Sequence, residues 1–235
     1  MDAATFMRSL FALRHYFARI TAAGAAGAPF TTLEALGIAA EQRMLDATRG
    51  VNTHRGAVFT LGLLCASVGA LATACAAHAV ASDPAAAIPS PCFSAAQLRA
   101  TLLTHWGAAL RARRERGAGV EAAAGFPTLF DCAAPALFAA RNLGLSERDA
   151  HLQTLFQVMA VLDDTNLMHR GGRAGLQFAQ AAARDFLAGG GMQRPDALHH
   201  AASIHRAFVA RRLSPGGSAD VLAAACLLER VGALR

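Results

Sequence analysis

The pattern of apolar and polar positions reads as a succession of helices. Phe6, Leu10, Leu13 and Phe17 recur at three- and four-residue steps, with Arg8, Arg14 and Arg19 elsewhere on the surface, predicting an amphipathic helix over residues 2–20. A Gly/Ala linker at 22–28 ends at Pro29, and Thr31 or Thr32 caps a second helix reaching Thr48. From Ala57 to Ala77 no residue is charged. That stretch is long enough to span a membrane, but most of it is Ala, Gly, Ser, Thr and Cys, and it lacks aromatic anchors at its ends. A helix buried among its neighbours explains it equally well, and we read it as a buried central helix.

A loop through Pro84, Pro89 and Pro91 follows, and Ser94 caps a helix carrying Trp106. Residues 117–127 read as irregular, with Glu121 in a small, apolar setting. Helices are predicted over 134–143, over 147–162 with Ser146 as cap, from the 163–172 loop to Gly189, and over 195–212. Ser214-Pro215-Gly216-Gly217 opens the last helix. No run alternates β-branched and polar residues at strand length. The prediction is an all-α, single-domain bundle spanning residues 1–235.

Composition supports close helix packing: 54% of residues are apolar and only 16% charged. The net charge of +6 admits a nucleic-acid partner, but the arginines are scattered apart from residues 111–116, where no aromatic residue interleaves. We read that run as a solvated helix end and expect no nucleic acid; the charge suits a polyanionic small molecule. Cys65, Cys75, Cys92, Cys132 and Cys226 form no CxxC pair and no zinc-site grouping with histidine. With no secretory n-region, reduced thiols in the cytoplasm are expected.

Three polar clusters adjoin apolar helices. In the first, Asn52-Thr53-His54-Arg55 lies between Gly50 and Gly56. These groups at a helix mouth suit an anion, especially phosphate, although an ordinary capped turn has the same composition. In the second, Asp163 and Asp164 precede Asn166, His169, Arg170 and Gly171-Gly172. Adjacent carboxylates at a helix end suit Mg²⁺, which takes one or two carboxylates with water and phosphates; the alternative is a solvated turn. The third is Ser214–Asp220, where Asp220 lies in the first turn of a helix as a base or a dipole-stabilising residue. Glu121 is a candidate acid or base, because an apolar pocket raises a carboxylate's pKa. Converging at one end of a bundle, the three loops would hold a metal–polyphosphate complex.

GVNTHRGAVFTLG (50–62), DDTNLMHRGG (163–172) and SPGGSADVLAA (214–224) resemble the signature stretches of the triphosphoribosyl-dephospho-CoA synthases. Gly125-Phe126-Pro127, with Glu121 four residues before Gly125, fits a fourth. The likeness runs from Asp2 to the C-terminus. It implies an all-α fold and a reaction in which ATP and 3′-dephospho-CoA give 2′-(5″-triphosphoribosyl)-3′-dephospho-CoA and adenine. The product is the prosthetic-group precursor for the acyl carrier protein of malonate decarboxylase or citrate lyase, passed on by a further transferase. Overall likeness favours the malonate branch.

On this reading Asp163, Asp164 and Asn166 hold Mg²⁺, and Arg55 and Arg170 take phosphates. His54 serves adenine or proton transfer, and Glu121 and Asp220 are candidate bases. Asn52, Thr53, Gly56, Ser214 and Ser218 join the substrate site, while Gly171-Gly172 and Gly216-Gly217 let backbone approach the ligand. Two departures stand out. Family members usually begin earlier, with a Pro-Lys-Pro-Gly-Leu-Val-Asp-like segment and a Gly-x-His-x-Asp-Met-like segment, the second ending where Met1-Asp2 stands. The usual Arg-Gly before the glutamate is Gly119-Val120 here, so an anion contact is missing. A chain lacking the first segment is expected to be slower or inactive. The competing classes are a non-catalytic helical nucleotide- or CoA-binding protein and a small membrane protein; a homodimer is left open.

Overall fold

The computed structural model describes residues 2–82, 93–113 and 117–234, excepting the side chains of 78–82. The predicted loop through Pro84, Pro89 and Pro91, together with Cys92, Arg114 and Arg116, lies outside the described residues. Those residues form helices and turns, with no strand among them. Their contacts cluster into two compact units, Met1–Gly125 with Arg230–Ala233, and Phe126–Glu229 with Leu234–Arg235.

In the first unit, α1 (Ala3–Leu13), α2 (Tyr16–Ala25) and α3 (Phe30–Thr48) precede α4 (Arg55–Ser82), α5 (Ala95–Ala112) and α6 (Ala118–Ala123). The amphipathic helix predicted over 2–20 is therefore two helices, broken at Arg14-His15. Arg14 ends the first, its backbone N–H and side chain both donating to Phe11 O. The break lets Leu13 and Tyr16 both be buried, and the Tyr16 hydroxyl reaches the Val58 carbonyl at 2.9 Å. The predicted Gly/Ala linker is mostly the end of α2. Small residues there serve helix packing: a Cβ at Gly24 would collide with the Ala66 backbone, and one at Gly69 with Thr21 O. Neither Thr31 nor Thr32 caps α3; the helix starts at Phe30 behind Pro29, without a side-chain cap. Burial of Phe30 and Leu33 sets that start.

Helix α4 packs against α2, α3, α5 and α6 and is the core of this unit. Val58, Leu63, Leu64 and Ala66 are buried, each larger side chain contributing roughly 1.5–3 kcal/mol. By length and composition, Arg55–Ala77 also meets the criterion for crossing a membrane, and half of its apolar window is buried. Its first turns match the predicted core helix, but residues 71–77 are partly exposed and the helix continues to Ser82. Helix α5 carries the predicted Ser94 cap, completed as a capping box by Gln97. Trp106 on that helix is buried, and its indole N–H donates to Ala28 O at 3.0 Å. Residues 117–127, expected to be irregular, contain the short helix α6.

The second unit starts with a π-helical turn, Thr128–Ala133, and continues through α7 (Ala134–Asn142) and α8 (Glu147–Val161). Then come α9 (Thr165–Ala188), a 3-10 turn, α10 (Ala197–Ala210) and α11 (Gly216–Arg230). Ser146 caps α8 as predicted, accepting from Asp149 N–H. Phe156 and Phe186 stack with centroids 3.9 Å apart in a core shared with Leu167, Leu176, Phe208 and Leu213. The stretch 163–172, expected as a loop, is mainly the first turns of α9. Its break falls at Gly172 alone, whose φ of 60° and ψ of −163° suit only glycine.

Candidate active site

The first cluster sits at the mouth of α4 in the first unit. Asn52 Oδ1 accepts from Arg55 N–H at 3.1 Å, and His54 O receives the first helical bond from Val58 N–H at 2.8 Å. The capped-turn reading of this loop therefore holds. Thr53, expected at the substrate, instead points inward: its hydroxyl donates to Ser9 Oγ at 2.7 Å and lies 3.1 Å from His54 Nδ1. Ser9 Oγ is itself 2.7 Å from Nδ1, and Ser9 is fully buried. Phe6 meets the imidazole edge-on at 5.1 Å. Burial holds the His54 pKa below its usual value of 6.5.

Arg55 is exposed and paired with Glu41, Nε to Oε2 at 2.9 Å. Glu41 also lines a cavity of about 210 Å³ walled by Tyr16, Phe30 and Phe59. Arg55 thus pairs with a carboxylate that lines this recess, whose wall also carries Glu34 and Arg113. Glu121 is only part-buried, on α6 next to exposed Val120, rather than enclosed in an apolar pocket.

The other two clusters meet within the second unit, at Asp164. This carboxylate, 1% exposed, is the N-cap of α9. Its Oδ1 accepts from Asn166 N–H (2.9 Å) and Leu167 N–H (3.4 Å). Its Oδ2 accepts from Ser218 N–H (2.8 Å) and the Ser218 hydroxyl (3.0 Å). Four donors fill the four acceptor sites of a carboxylate. The positive ends of α9 and α11 converge on it, so its charge needs no cation. Asp164 therefore does not fit as a Mg²⁺ ligand, and Ser218 is its partner rather than a substrate contact.

The glycines follow the same logic. A Cβ at Gly217 would stand 3.0 Å from Asp164 Oδ1, and one at Gly216 would stand 2.7 Å from the Asn166 amide. A Cβ at Gly171 would meet Leu213 at 2.5 Å. These glycines make room for the protein's own side chains rather than for a ligand's approach. Gly172 alone has open space around it, with its backbone in the glycine region.

Facing solvent on the same turns are Asp163, Asn166, His169 and Arg170. The described residues include no group of three or more His, Cys, Asp or Glu that could cage a metal. Asp163 with Asn166 fits the sparser set that Mg²⁺ uses when phosphates complete its shell. Asp220 is part-buried, the fifth residue of α11 and thus past its first turn; the carboxylate at that helix start is Asp164. Ser214 and Gly56 are part-buried beside their clusters. Two residues carrying this arrangement, Ser9 and Glu41, escape sequence reasoning, because each lies on an ordinary helical face remote from its partner.

The pattern of a family described as ATP:dephospho-CoA triphosphoribosyl transferase matches residues 1–235. The chain belongs to this family. It is 40% identical to a 2-(5″-triphosphoribosyl)-3′-dephosphocoenzyme-A synthase of Pectobacterium atrosepticum, over 97% of this chain and 77% of that one. A probable synthase of the same name from Acinetobacter calcoaceticus is 34% identical, over 98% of this chain and 80% of its own. Another, from Pseudomonas aeruginosa strain UCBPP-PA14, is 38% identical over 85% and 67%. No solved structure matches. Transferase membership favours the enzyme over the binding-module and membrane alternatives.

Proposed function

We propose that this chain joins the triphosphoribosyl group of ATP to the 2′-hydroxyl of 3′-dephospho-CoA and releases adenine, using the clusters described above. The observation that carries the reading is the Glu41 carboxylate, which lines the aromatic-walled cavity and pairs with Arg55. A flat base suits aromatic walls, and a guanidinium paired with a lining carboxylate suits the attached phosphates.

In the reaction the 2′-oxygen bonds to the anomeric carbon of ATP as the bond from that carbon to adenine breaks. The hydroxyl proton leaves to a base and adenine gains a proton, so the triphosphate stays attached to the ribose. An oxocarbenium-like transition state is expected, as in glycoside hydrolysis. Within the first unit, Arg55 is assigned to phosphate, His54 to the departing base and Glu121 to the hydroxyl proton; within the second, Arg170 is assigned to phosphate and Asp220 is the other candidate base. Both carboxylates are part-buried. Mg²⁺ entering with ATP would neutralise phosphate charge, with Asp163 and Asn166 as its protein oxygen donors. Overall likeness favours the malonate-decarboxylase branch, ahead of a transferase acting on the acyl carrier protein, and the cysteine pattern suits the cytoplasm.

The test is chromatographic. With ATP, Mg²⁺ and dephospho-CoA, free adenine is expected, without ADP or phosphate, and little adenine when dephospho-CoA is omitted. Appearance of ADP would overturn the reading. Glu121→Gln and Asp220→Asn identify the base: the residue that carries the proton loses roughly 10²–10⁴-fold in kcat on substitution.

A further inference from the structure

Ser9, Thr53 and His54 form a closed set of hydrogen bonds that bears on what the histidine can do. The Thr53 hydroxyl donates to Ser9 Oγ at 2.7 Å, and Ser9 Oγ stands 2.7 Å from His54 Nδ1. Thr53 Oγ1 lies 3.1 Å from the same nitrogen. Two hydroxyl protons and one ring nitrogen are then satisfied together only if Nδ1 accepts: Thr53 to Ser9, and Ser9 to Nδ1. A proton on Nδ1 would leave one of the two hydroxyl protons, that of Ser9 or that of Thr53, without an acceptor inside the cluster. No described residue hydrogen-bonds Nε2. Phe6 and Ser9 from α1 and neighbouring Thr53 meet the imidazole, and Met44 from α3 takes the His54 backbone N–H on its sulfur at 3.2 Å. None of these carries charge, and burial alone lowers the imidazole's affinity for a proton.

We propose that Ser9 is a positioning residue that, with Thr53, holds His54 neutral with its proton on Nε2, making it a hydrogen-bond donor to the departing base rather than a proton acceptor. Its role toward adenine rests on the reaction proposed above; the tautomer does not. A donor at Nε2 would stabilise the negative charge that grows on the base as its bond to the anomeric carbon breaks. Seated beside Arg55, His54 would act on the base while the guanidinium holds the phosphates.

The experiment uses the full chain labelled with ¹⁵N-histidine. At neutral pH, His54 should show a non-protonated Nδ1 and a protonated Nε2, and Ser9→Ala should mix the two tautomers. A protonated Nδ1 in the unsubstituted protein overturns the proposal, whatever the enzyme's activity. The second readout is kcat for adenine release against pH. A donor keeps its proton on Nε2 when the ring becomes doubly protonated, so kcat should not fall along the His54 titration followed by NMR. A fall tracking that titration would make His54 a base and overturn the donor role. Ser9→Ala should lower kcat roughly ten-fold with little change in the KM for ATP, the scale of one hydrogen bond lost. Ser9→Thr, which keeps the hydroxyl, should restore most of it. Should Ser9→Ala fail to fold, Thr53→Val tests the same chain from its other end. No release of adenine by the unsubstituted chain, with the expected tautomer present, would sink the reaction and leave the tautomer standing.

Discussion

Ser218, the third residue of α11, donates both its backbone N–H (2.8 Å) and its hydroxyl (3.0 Å) to Oδ2 of Asp164, the N-cap of α9. One buried carboxylate thereby closes two helix starts, through a partner 54 residues further along the chain. Such starts are ready-made anion sites, and here the anion is supplied by the chain itself. The backbone amides of Asn166, Leu167 and Ser218 are thereby already engaged.

Asp164 is accordingly expected to matter for stability. Asp164→Ala leaves four buried or half-buried donors without an acceptor and should cost roughly 3–5 kcal/mol in denaturant unfolding. Ser218→Ala removes one of two bonds to Oδ2 and should cost about 1 kcal/mol. A variant at 164 with unchanged stability but weakened Mg²⁺-dependent ATP binding would restore the metal-ligand reading.

Asp163 should behave in the opposite way. It is exposed, so Asp163→Asn should leave the unfolding midpoint unchanged. The Mg²⁺ concentration for half-maximal adenine release should rise by about an order of magnitude, as one charged oxygen ligand is lost. Mg²⁺ titration of both variants separates the two aspartates; an unaltered Mg²⁺ requirement removes Asp163 from the metal's shell.

The Arg55–Glu41 pair is open to solvent, with the arginine side chain 54% exposed. Pairs of that kind contribute roughly 0–1 kcal/mol, so a triphosphate can displace the carboxylate easily. Glu41→Gln should lower the KM for ATP a few-fold at little cost in stability. Arg55→Ala should raise it about ten-fold or more, as a charge-assisted contact disappears. Equal KM values in all three proteins would take Arg55 out of the phosphate site.

His54 gives the fold a pH dependence of known sign. Burial depresses its folded-state pKa below 6.5, so the unfolded chain takes up the proton first as pH falls. The contribution is fully present above about pH 6.5 and is lost as pH falls through the depressed folded-state value. Melting temperatures measured from pH 8 to pH 5 should therefore fall less for His54→Gln than for the unsubstituted protein. Parallel curves would show that His54 titrates alike in both states.

The sequence by itself determined the helical class, because helical spacing and the absence of strand alternation are local properties. It also located the Ser94 and Ser146 caps, which depend on residues a turn apart, and the three polar clusters that point to the family. It misplaced features whose cause lies elsewhere in the chain. The break at Arg14-His15 follows from burying Leu13 and Tyr16 together, and Gly24 is small because α4 passes against it. Gly217 is small because the Asp164 carboxylate lies beside it. Thr53 and Ser9, like Arg55 and Glu41, are joined only in space. The clearest case is Asp163-Asp164: two adjacent carboxylates indistinguishable in sequence take opposite positions at a helix start. One is buried among four donors, the other is left in water, and only the packing of α11 against the start of α9 decides which is which.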